Sequence, residues 1–477
     1  MNVAEAVGLQ EFDQIRAHAE PGGAAVTRLS RSVGKIPHAT SLNALTSLDV
    51  ERAYAEARRL DRLEESGNPR GPLHGVPILV KDNIDVAGLP TTNGSAANDG
   101  LPAQSDAIVI RRLRRAGALI IGKTNMDELA LGVTGANSRY PRTLNAWDQH
   151  RLPGGSSGGS AVALAAGAAE GALGTDTGGS VRTPAAFNGV TALRPTSGLI
   201  SLEGVTPLSP RFDTVGPMGR DIRTVERLLG VLSKPLRGQR TALTAYPHGD
   251  HDRPLRGLRI GIPEAHFFSS ADPDVAAVVM TAANQFVTLG ATLVDVVLDG
   301  AERASATTST MMLADGYSFH KDLVDADPRV IDPAVQERIE LGRDVTVSEY
   351  RDALDWMSTW SDRVTGTFES ADLLLVPTTP MVAPRIGEDD RELDTVRRVT
   401  QFTFPWSLAC VPALQLPCGL ASDMPVGMQL VSPRGSDVSL LRVAALYERE
   451  TLWNDAFHTL NAHLFPGAAS DFEGSSS

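Results

Sequence analysis

The chain has 477 residues, of which 42% are hydrophobic and 21% charged, a composition typical of a soluble globular protein that needs no disulfides to stabilise its core. Its formal net charge of −13 argues against binding to nucleic acid or to an anionic membrane. Two cysteines, Cys410 and Cys418, are too few for a disulfide framework or a zinc site, and neither a metal nor a cofactor is expected.

The sequence contains no segment typical of a targeting signal or a membrane span. Residues 1–20 include four acidic side chains and no apolar stretch. The longest apolar run, residues 161–173, is interrupted by Glu170 and is too short to cross a bilayer. We therefore expect a cytoplasmic protein with no membrane partner.

The chain is predicted to form one large α/β domain with short extensions at both ends. Residues 1–66 are expected to form an N-terminal helical arm, with the strongest helical pattern at 49–60. Turn residues at 67–72 then introduce a single domain over 67–467. The polar tail 468–477 is predicted to be disordered.

The first recognisable unit of this domain is a β-α-β pattern. A strand at 76–80 ends in Lys81, a helix follows at 106–116, and a second strand at 117–122 ends in Lys123. A buried amine has a lowered pKa, but Lys81 could instead emerge at the end of its strand and pair with Asp82 or Asp85. The local sequence does not distinguish the two lysines.

The pattern beyond residue 221 is weaker. It predicts strands at 258–262, 292–297 and 373–377, and helices at 274–288 and 347–364.

Two Gly/Ser-rich loops, at 153–160 and 174–180, flank an apolar segment at 160–173 that is predicted to be a helix. Glycine lets the backbone adopt unusual conformations and approach a ligand closely. Serines in such loops indicate acyl chemistry, in which a hydroxyl nucleophile lies beside backbone N–H groups that stabilise an oxyanion.

Three interpretations of these loops compete. A phosphate-binding loop requires a lysine, and residues 153–180 contain none. A nucleophile elbow matches residues 154–158, but the preceding polar segment ends in proline and does not resemble a central strand. A triad would also need a histidine, His320 or His458. The third interpretation uses a neutral lysine as base and a second serine as proton carrier.

The same residues closely resemble the amidase signature family. The resemblance covers most of the chain and is weakest over 223–400. Its motifs are Gly75–Ile84, Gly122–Leu129, Gly154–Ser160, Gly174–Phe187, Leu193–Thr196, Asp213–Pro217 and Met424–Gln429. It implies an α/β fold with a large central mixed β-sheet covered by helices on both faces, in which 67–222 form the signature core and 223–400 a variable region that lines the acyl pocket.

The resemblance also assigns roles to individual residues. Lys81 is the catalytic lysine, Ser156 the bridging serine preceded by a cis peptide bond, and Ser180 the nucleophile, whereas Lys123 is structural. The remaining assignments are Ser157 as a hydrogen-bonding neighbour, the backbone N–H groups of Thr177, Gly178, Gly179 and Ser180 as oxyanion donors, and Ala130 and Leu131 on the substrate side. Asp176 and Arg182 are expected to hold the loops rather than react.

The expected reaction is hydrolysis of a small amide to a carboxylic acid and ammonia or an amine. Residues 126–134 look more like those of indoleacetamide and mandelamide hydrolases than those of the tRNA enzymes in the family. Carbamate, urea-type, hydrazide and anilide substrates stay open, as does a homodimer. The alternative is a transamidase like the A subunit of glutamyl-tRNA amidotransferase, which would need a partner chain.

Overall fold

A mixed β-sheet forms the centre of the computed structural model, which describes residues 22–234, 253–326, 330–387, 393–451 and 453. Within these residues the sheet has 11 strands in the order β1-β3-β2-β4-β6-β5-β10-β11-β9-β7-β8. The strands are β1 (Leu45–Leu48), β2 (Pro77–Lys81), β3 (Leu119–Thr124), β4 (Gly171–Asp176), β5 (Thr191–Arg194), β6 (Thr214–Gly219), β7 (Arg259–Ile262), β8 (Thr292–Asp295), β9 (Leu373–Pro377), β10 (Ala413–Ala421) and β11 (Met424–Val431).

Helices connect most of these strands. They are α1 (Ala24–Val33), α2 (Ile36–Ser41), α3 (Val50–Glu65), α4 (Ile108–Arg115), α5 (Gly158–Ala165), α6 (Arg182–Asn188), α7 (Ile222–Leu232), α8 (Pro273–Thr288), α9 (Ala301–Ala326), α10 (Pro333–Arg343), α11 (Val347–Thr367), α12 (Leu393–Thr400), α13 (Phe404–Leu408) and α14 (Asp437–Arg449). A 3₁₀ turn spans Glu128–Ala130.

Strand directions confirm the predicted mixed sheet. β3, β2 and β4 are parallel neighbours, and so are β9, β7 and β8 at the other end. The strands between these two groups, β6, β5, β10 and β11, pair antiparallel. The last two of the described strands, β10 and β11, therefore lie inside the sheet, between β5 and β9.

Both faces of the sheet are covered, as predicted. Successive side chains of a strand point to opposite faces, and in β2 Ile78 and Val80 join one hydrophobic core while Leu79 joins another. Helices α4, α7 and α8 contribute to the first core, and α1, α3 and α5 to the second. Lys81 is in phase with Leu79 and is therefore directed to the side of α5.

The strands and helices predicted beyond residue 221 correspond to β7, β8, β9, α8 and α11. The helix predicted at 160–173 is wrong in its second half. The helix α5 ends at Ala165, and residues 171–176 form the buried strand β4. Gly167 has a φ of 77°, a left-handed conformation that favours glycine and ends the helix.

The N-terminal arm is not purely helical. Between α2 and α3 it contributes β1, which pairs antiparallel with β3 at the edge of the sheet. Residues 1–21 of this arm and the predicted tail 468–477 lie outside the described residues. None of the described helices combines the length and apolarity needed to cross a bilayer.

Candidate active site

Lys81 lies at the carboxyl end of β2, where its side chain is 0% exposed. Its Nζ is 2.7 Å from Oγ of Ser156 and 2.8 Å from Oγ1 of Thr175. Burial lowers the pKa of this amine to about 7, although nearby carboxylates oppose the shift. A buried amine that contacts hydroxyl groups rather than a carboxylate is available as a base near neutral pH.

Lys123, at the end of the adjacent parallel strand, has a different environment. Its Nζ lies 3.1 Å from Oδ1 of Asp82 and donates to the carbonyl oxygen of Pro90 at 2.9 Å. The Lys123 side chain and the Asp82 carboxylate are both buried. The sequence does not distinguish the two lysines, but their partners do. Lys123 forms an ion pair with Asp82, whereas Lys81 contacts two hydroxyl groups.

The first serine loop leads into α5. Its Gly155–Ser156 peptide bond is cis, as the family resemblance implies. A Cβ atom on Gly155 would overlap the carboxylate of Asp127, so only glycine fits this close approach. The Ser157 hydroxyl donates to the carbonyl oxygen of Thr175 at 3.2 Å and accepts from its N–H at 3.3 Å. Ser157 thus fastens the start of α5 to β4.

The second serine loop is held by a buried carboxylate at the end of β4. Asp176 accepts hydrogen bonds from Arg182 at 3.0 Å and from Arg194 at 2.9 Å, and all three side chains are 0% exposed. Arg182 also donates to the Thr403 carbonyl at 3.0 Å and to Gln429 at 2.9 Å. This network fixes the loop to β5, to the segment before α13 and to β11.

Close packing constrains the glycines of this loop. A Cβ on Gly178 would overlap Phe404, and one on Gly179, whose φ is 129°, would overlap Thr403. The Thr403 hydroxyl donates to the Gly178 carbonyl at 2.6 Å. The Gly179 N–H, one of the predicted oxyanion donors, donates to Oδ1 of Asp176 at 2.9 Å and is therefore engaged inside the loop.

A narrow cavity of about 50 Å³ opens beside Ser180. The Ser157 N–H donates to the Ser180 carbonyl at 3.0 Å, which links the two serine loops. Thr177 is not part of the cavity wall, and its hydroxyl donates to Asp213 at 2.6 Å. The wall is mostly apolar and includes four predicted site residues, Ala130, Leu131, Gly178 and Ser180. The other lining residues come from the segment after Leu131 and from α9, α10, α12 and α13: Gly132, Val133, Ser309, Met312, Leu313, Arg338, Leu341, Val396, Arg397, Thr400 and Phe404.

One buried cation stands out in this wall. The Arg338 side chain is 7% exposed and donates from Nε to the Ala334 carbonyl at 2.9 Å, while Nη1 has no hydrogen-bond partner among the described residues. Asp127 is also buried, and its Oδ2 atom lacks a partner in the same set. Burial raises the pKa of Asp127 to about 6, although hydrogen bonds and the charges of Arg338 and Lys81 oppose this.

Several residues of this site were not named from the sequence, among them Thr175, Thr403 and Arg338. Thr175, the second hydroxyl partner of Lys81, lies within the Gly174–Phe187 motif and could have been noticed there. Thr403, which bonds Gly178, and Arg338 on the cavity wall lie far from that motif in the sequence. Only the tertiary fold brings them to the serine loops.

The family model described as amidase matches residues 29–441. The chain belongs to the amidase family. This confirms the resemblance that the serine and lysine motifs carry, and it places the site described above in an amidase-signature enzyme.

Relatives of this amidase include both amidotransferase subunits and amidases. The A subunit of glutamyl-tRNA(Gln) amidotransferase from Symbiobacterium thermophilum is 37% identical over 444 residues, which cover 87% of this chain and 91% of the relative. A solved structure described as an amidase is 33% identical, with a TM-score of 0.79 over 96% of this chain and 99% of the other. The solved A subunit of the Thermotoga maritima amidotransferase is 29% identical, with a TM-score of 0.69 over 80% and 84%.

Proposed function

We propose that this amidase cleaves the C–N bond of an amide through an acyl-enzyme formed on Ser180. The observation that carries the proposal is the buried Lys81 amine, whose pKa is lowered to about 7 and which lies 2.7 Å from the Ser156 hydroxyl. A base with a pKa near the working pH is the most effective proton acceptor. Ser180 lines the cavity and is partly exposed, which also supports its role as nucleophile.

The proposed reaction moves one proton along a relay in each step. Neutral Lys81 accepts the proton of the Ser156 hydroxyl as Ser156 accepts that of Ser180, whose Oγ bonds to the amide carbonyl carbon. When the C–N bond breaks, the proton returns through Ser156 to the leaving nitrogen. Water then attacks the ester and loses a proton along the same path, which releases the acid and restores Ser180.

Backbone N–H groups of the second serine loop are proposed to stabilise the oxyanion of the tetrahedral intermediates. The Gly179 N–H is bonded to Asp176, so the proposal assigns this role to Thr177, Gly178 and Ser180. Packing by Thr403 and Phe404 supports a rigid loop, which such stabilisation requires.

A panel of primary amides and anilides, assayed for released acid and ammonia or amine, tests the nucleophile. Ser180→Ala should release neither product from any amide that the wild type hydrolyses, and it should form no covalent acyl adduct in an intact-mass measurement after acid quenching. Ser309→Ala is the matched control because Ser309 lies on the same cavity wall, and it should still form the adduct. An adduct in Ser180→Ala would contradict the assignment.

The substrate is proposed to carry an anionic group, such as a carboxylate, on its acyl part. The unpartnered Nη1 of Arg338 in an otherwise mostly apolar wall supports this, because a buried donor without an acceptor is costly and a carboxylate would satisfy it. The small volume of the cavity, about 50 Å³, favours a small acyl group.

Arg338→Gln is expected to raise KM for amides that carry a carboxylate, such as glutamine, by about 10- to 100-fold, as for loss of a charged hydrogen bond. For a neutral amide such as hexanamide, KM should stay within about threefold of wild type because no ionic contact is lost. The control is Arg397→Gln, since Arg397 lines the same cavity but is exposed and paired with Asp394. Equal changes in KM for both amides in Arg338→Gln would contradict the proposal that the substrate carries an anionic group.

Two settings for this reaction have support from different relatives. The identity to amidotransferase A subunits over 87% of the chain favours a transamidase that works with partner chains. The solved amidase has a TM-score of 0.79 over 96% of this chain, compared with 0.69 over 80% for the solved amidotransferase subunit. This difference favours a hydrolase that works alone. The purified chain distinguishes them: a hydrolase releases ammonia from simple amides by itself, whereas a transamidase component becomes active only when the other amidotransferase subunits are added.

A further inference from the structure

A second cavity, of about 330 Å³, lies beside the segment that leads into the first serine loop. It shares no lining residue with the cavity beside Ser180. Three arginines, Arg151, Arg385 and Arg398, line it together with one carboxylate, Asp272, and an apolar surface that includes Leu152 and Val382. Its volume falls within the range of small-molecule sites in proteins.

The charges of this second cavity favour an anion. Arg151 is paired with Asp148 at 3.3 Å and donates to the Ala383 carbonyl at 2.6 Å, so its guanidinium group is held in place. No carboxylate of the described residues lies within ion-pair distance of Arg385 or Arg398, although the charge of Arg385 helps to lower the pKa of Asp148, the partner of Arg151. Guanidinium groups bind carboxylates and phosphates through paired hydrogen bonds.

One wall of this cavity continues into the first serine loop. Leu152 donates from its N–H to the Pro384 carbonyl at 2.8 Å, and Arg151 and Arg385 form a β-bridge beside it. Ser156, the hydroxyl partner of Lys81, follows Leu152 by four residues. A ligand that contacts Arg151 and Leu152 therefore contacts the segment that leads directly into the first serine loop.

The other wall is α12, which separates the two cavities. Thr395 and Arg398 face the second cavity, whereas Val396, Arg397 and Thr400 line the one beside Ser180. The Thr403 hydroxyl lies 3.0 Å from the Thr400 carbonyl oxygen of α12 and 2.6 Å from the Gly178 carbonyl oxygen of the second serine loop. A shift of α12 would thus change the walls of both cavities at once.

We propose that this second cavity binds a small organic anion, a carboxylate or phosphate ester with an apolar body, and that its occupancy alters turnover at the active site. The arginines bind the anionic group, and the apolar surface contacts the rest of the ligand. The proposal does not depend on the reaction assigned to Ser180, because binding is measured directly.

Isothermal titration calorimetry with phenyl phosphate, benzoate and inorganic phosphate tests the site. Phenyl phosphate or benzoate should bind saturably to the wild type, and the double variant Arg385→Gln/Arg398→Gln should raise its Kd by about tenfold or more, as expected for the loss of charge-assisted hydrogen bonds. Arg58→Gln is the control because Arg58 is exposed on α3. Arg338→Gln, which alters the active-site cavity, should leave this Kd unchanged.

At saturating substrate, where competition at the active site is overcome, the same anion should change kcat in the wild type and in Arg58→Gln, but not in the double variant. Absence of saturable binding, unchanged binding in the double variant, or loss of binding in Arg338→Gln would each overturn the proposal. Equal affinity for inorganic phosphate would overturn the assignment of an organic ligand, because the apolar surface would then contribute nothing.

Discussion

Replacing Lys81 with methionine is expected to lower kcat for amide hydrolysis by about 100- to 10,000-fold, the usual contribution of a positioned proton acceptor. Methionine fills the space of the lysine chain but cannot accept the proton of Ser156, which lies 2.7 Å from Nζ. The measurement is steady-state release of acid from the best amide of the panel.

The pH dependence of the same reaction follows from the state of this amine. Burial lowers the pKa of Lys81 to about 7, and only the neutral form can accept a proton. The rate of the wild type should therefore rise as the pH increases through about 7 and level off above it. The residual activity of Lys81→Met should lack this rise, because the titrating group is gone.

Lys123→Met provides the matched control for Lys81→Met. Both lysines are buried at the ends of adjacent parallel strands, but removing Lys123 leaves the buried Asp82 carboxylate without its ion pair, which destabilises the fold. Lys123→Met should thus lose stability and keep the rise in rate near pH 7.

Lys81→Met should be at least as stable as wild type between pH 7 and 10.5, where folding removes a proton from Lys81. A Lys81→Met variant with kcat within about tenfold of wild type would contradict the role of the base.

Asp176→Asn is expected to lower the free energy of unfolding by about 3–5 kcal/mol, the usual cost of breaking a buried ion pair. The substitution removes the negative charge between the buried guanidinium groups of Arg182 and Arg194, at 3.0 and 2.9 Å. Urea denaturation at neutral pH measures the loss. Asp394→Asn is the control, because the Asp394–Arg397 pair is exposed and such pairs contribute little.

Acid should reduce the difference between Asp176→Asn and wild type. Burial alone would raise the pKa of Asp176, but Arg182 and Arg194 hold it well below its usual value of 3.8. The stabilisation is therefore fully present above pH 3.8 and is lost only as the pH falls through the lower pKa of the folded state. A variant as stable as wild type at neutral pH would contradict the role of Asp176 in holding the loop.

The sequence predicted the parts of the site that lie close together along the chain. The strand that ends in Lys81 and the two serine loops have strong local patterns, and the family resemblance supplied the choice between Lys81 and Lys123. The structure adds the physical basis of that choice, since only Lys123 pairs with a buried carboxylate.

Other parts of the fold had no readable local pattern. Strand β6 has the sequence Thr-Val-Gly-Pro-Met-Gly. Glycine and proline are unfavourable within a strand, so this sequence does not predict one. The apolar run after Ser160 suits a helix and a buried strand equally well, and the pairing of β4 with β2 and β6 decides the outcome. The position of Arg338 depends on how α10 packs, which periodicity alone does not predict.

The place of β10 and β11 within the sheet has a consequence for biosynthesis. Of the strands that the structure describes, these are the last to leave the ribosome, yet they join the two halves of the sheet. Strand β11 also supplies Gln429, a partner of Arg182, which holds the second serine loop. A nascent chain that ends before residue 431 lacks both. Amide cleavage should therefore begin only after residue 431 has been translated and has left the ribosome.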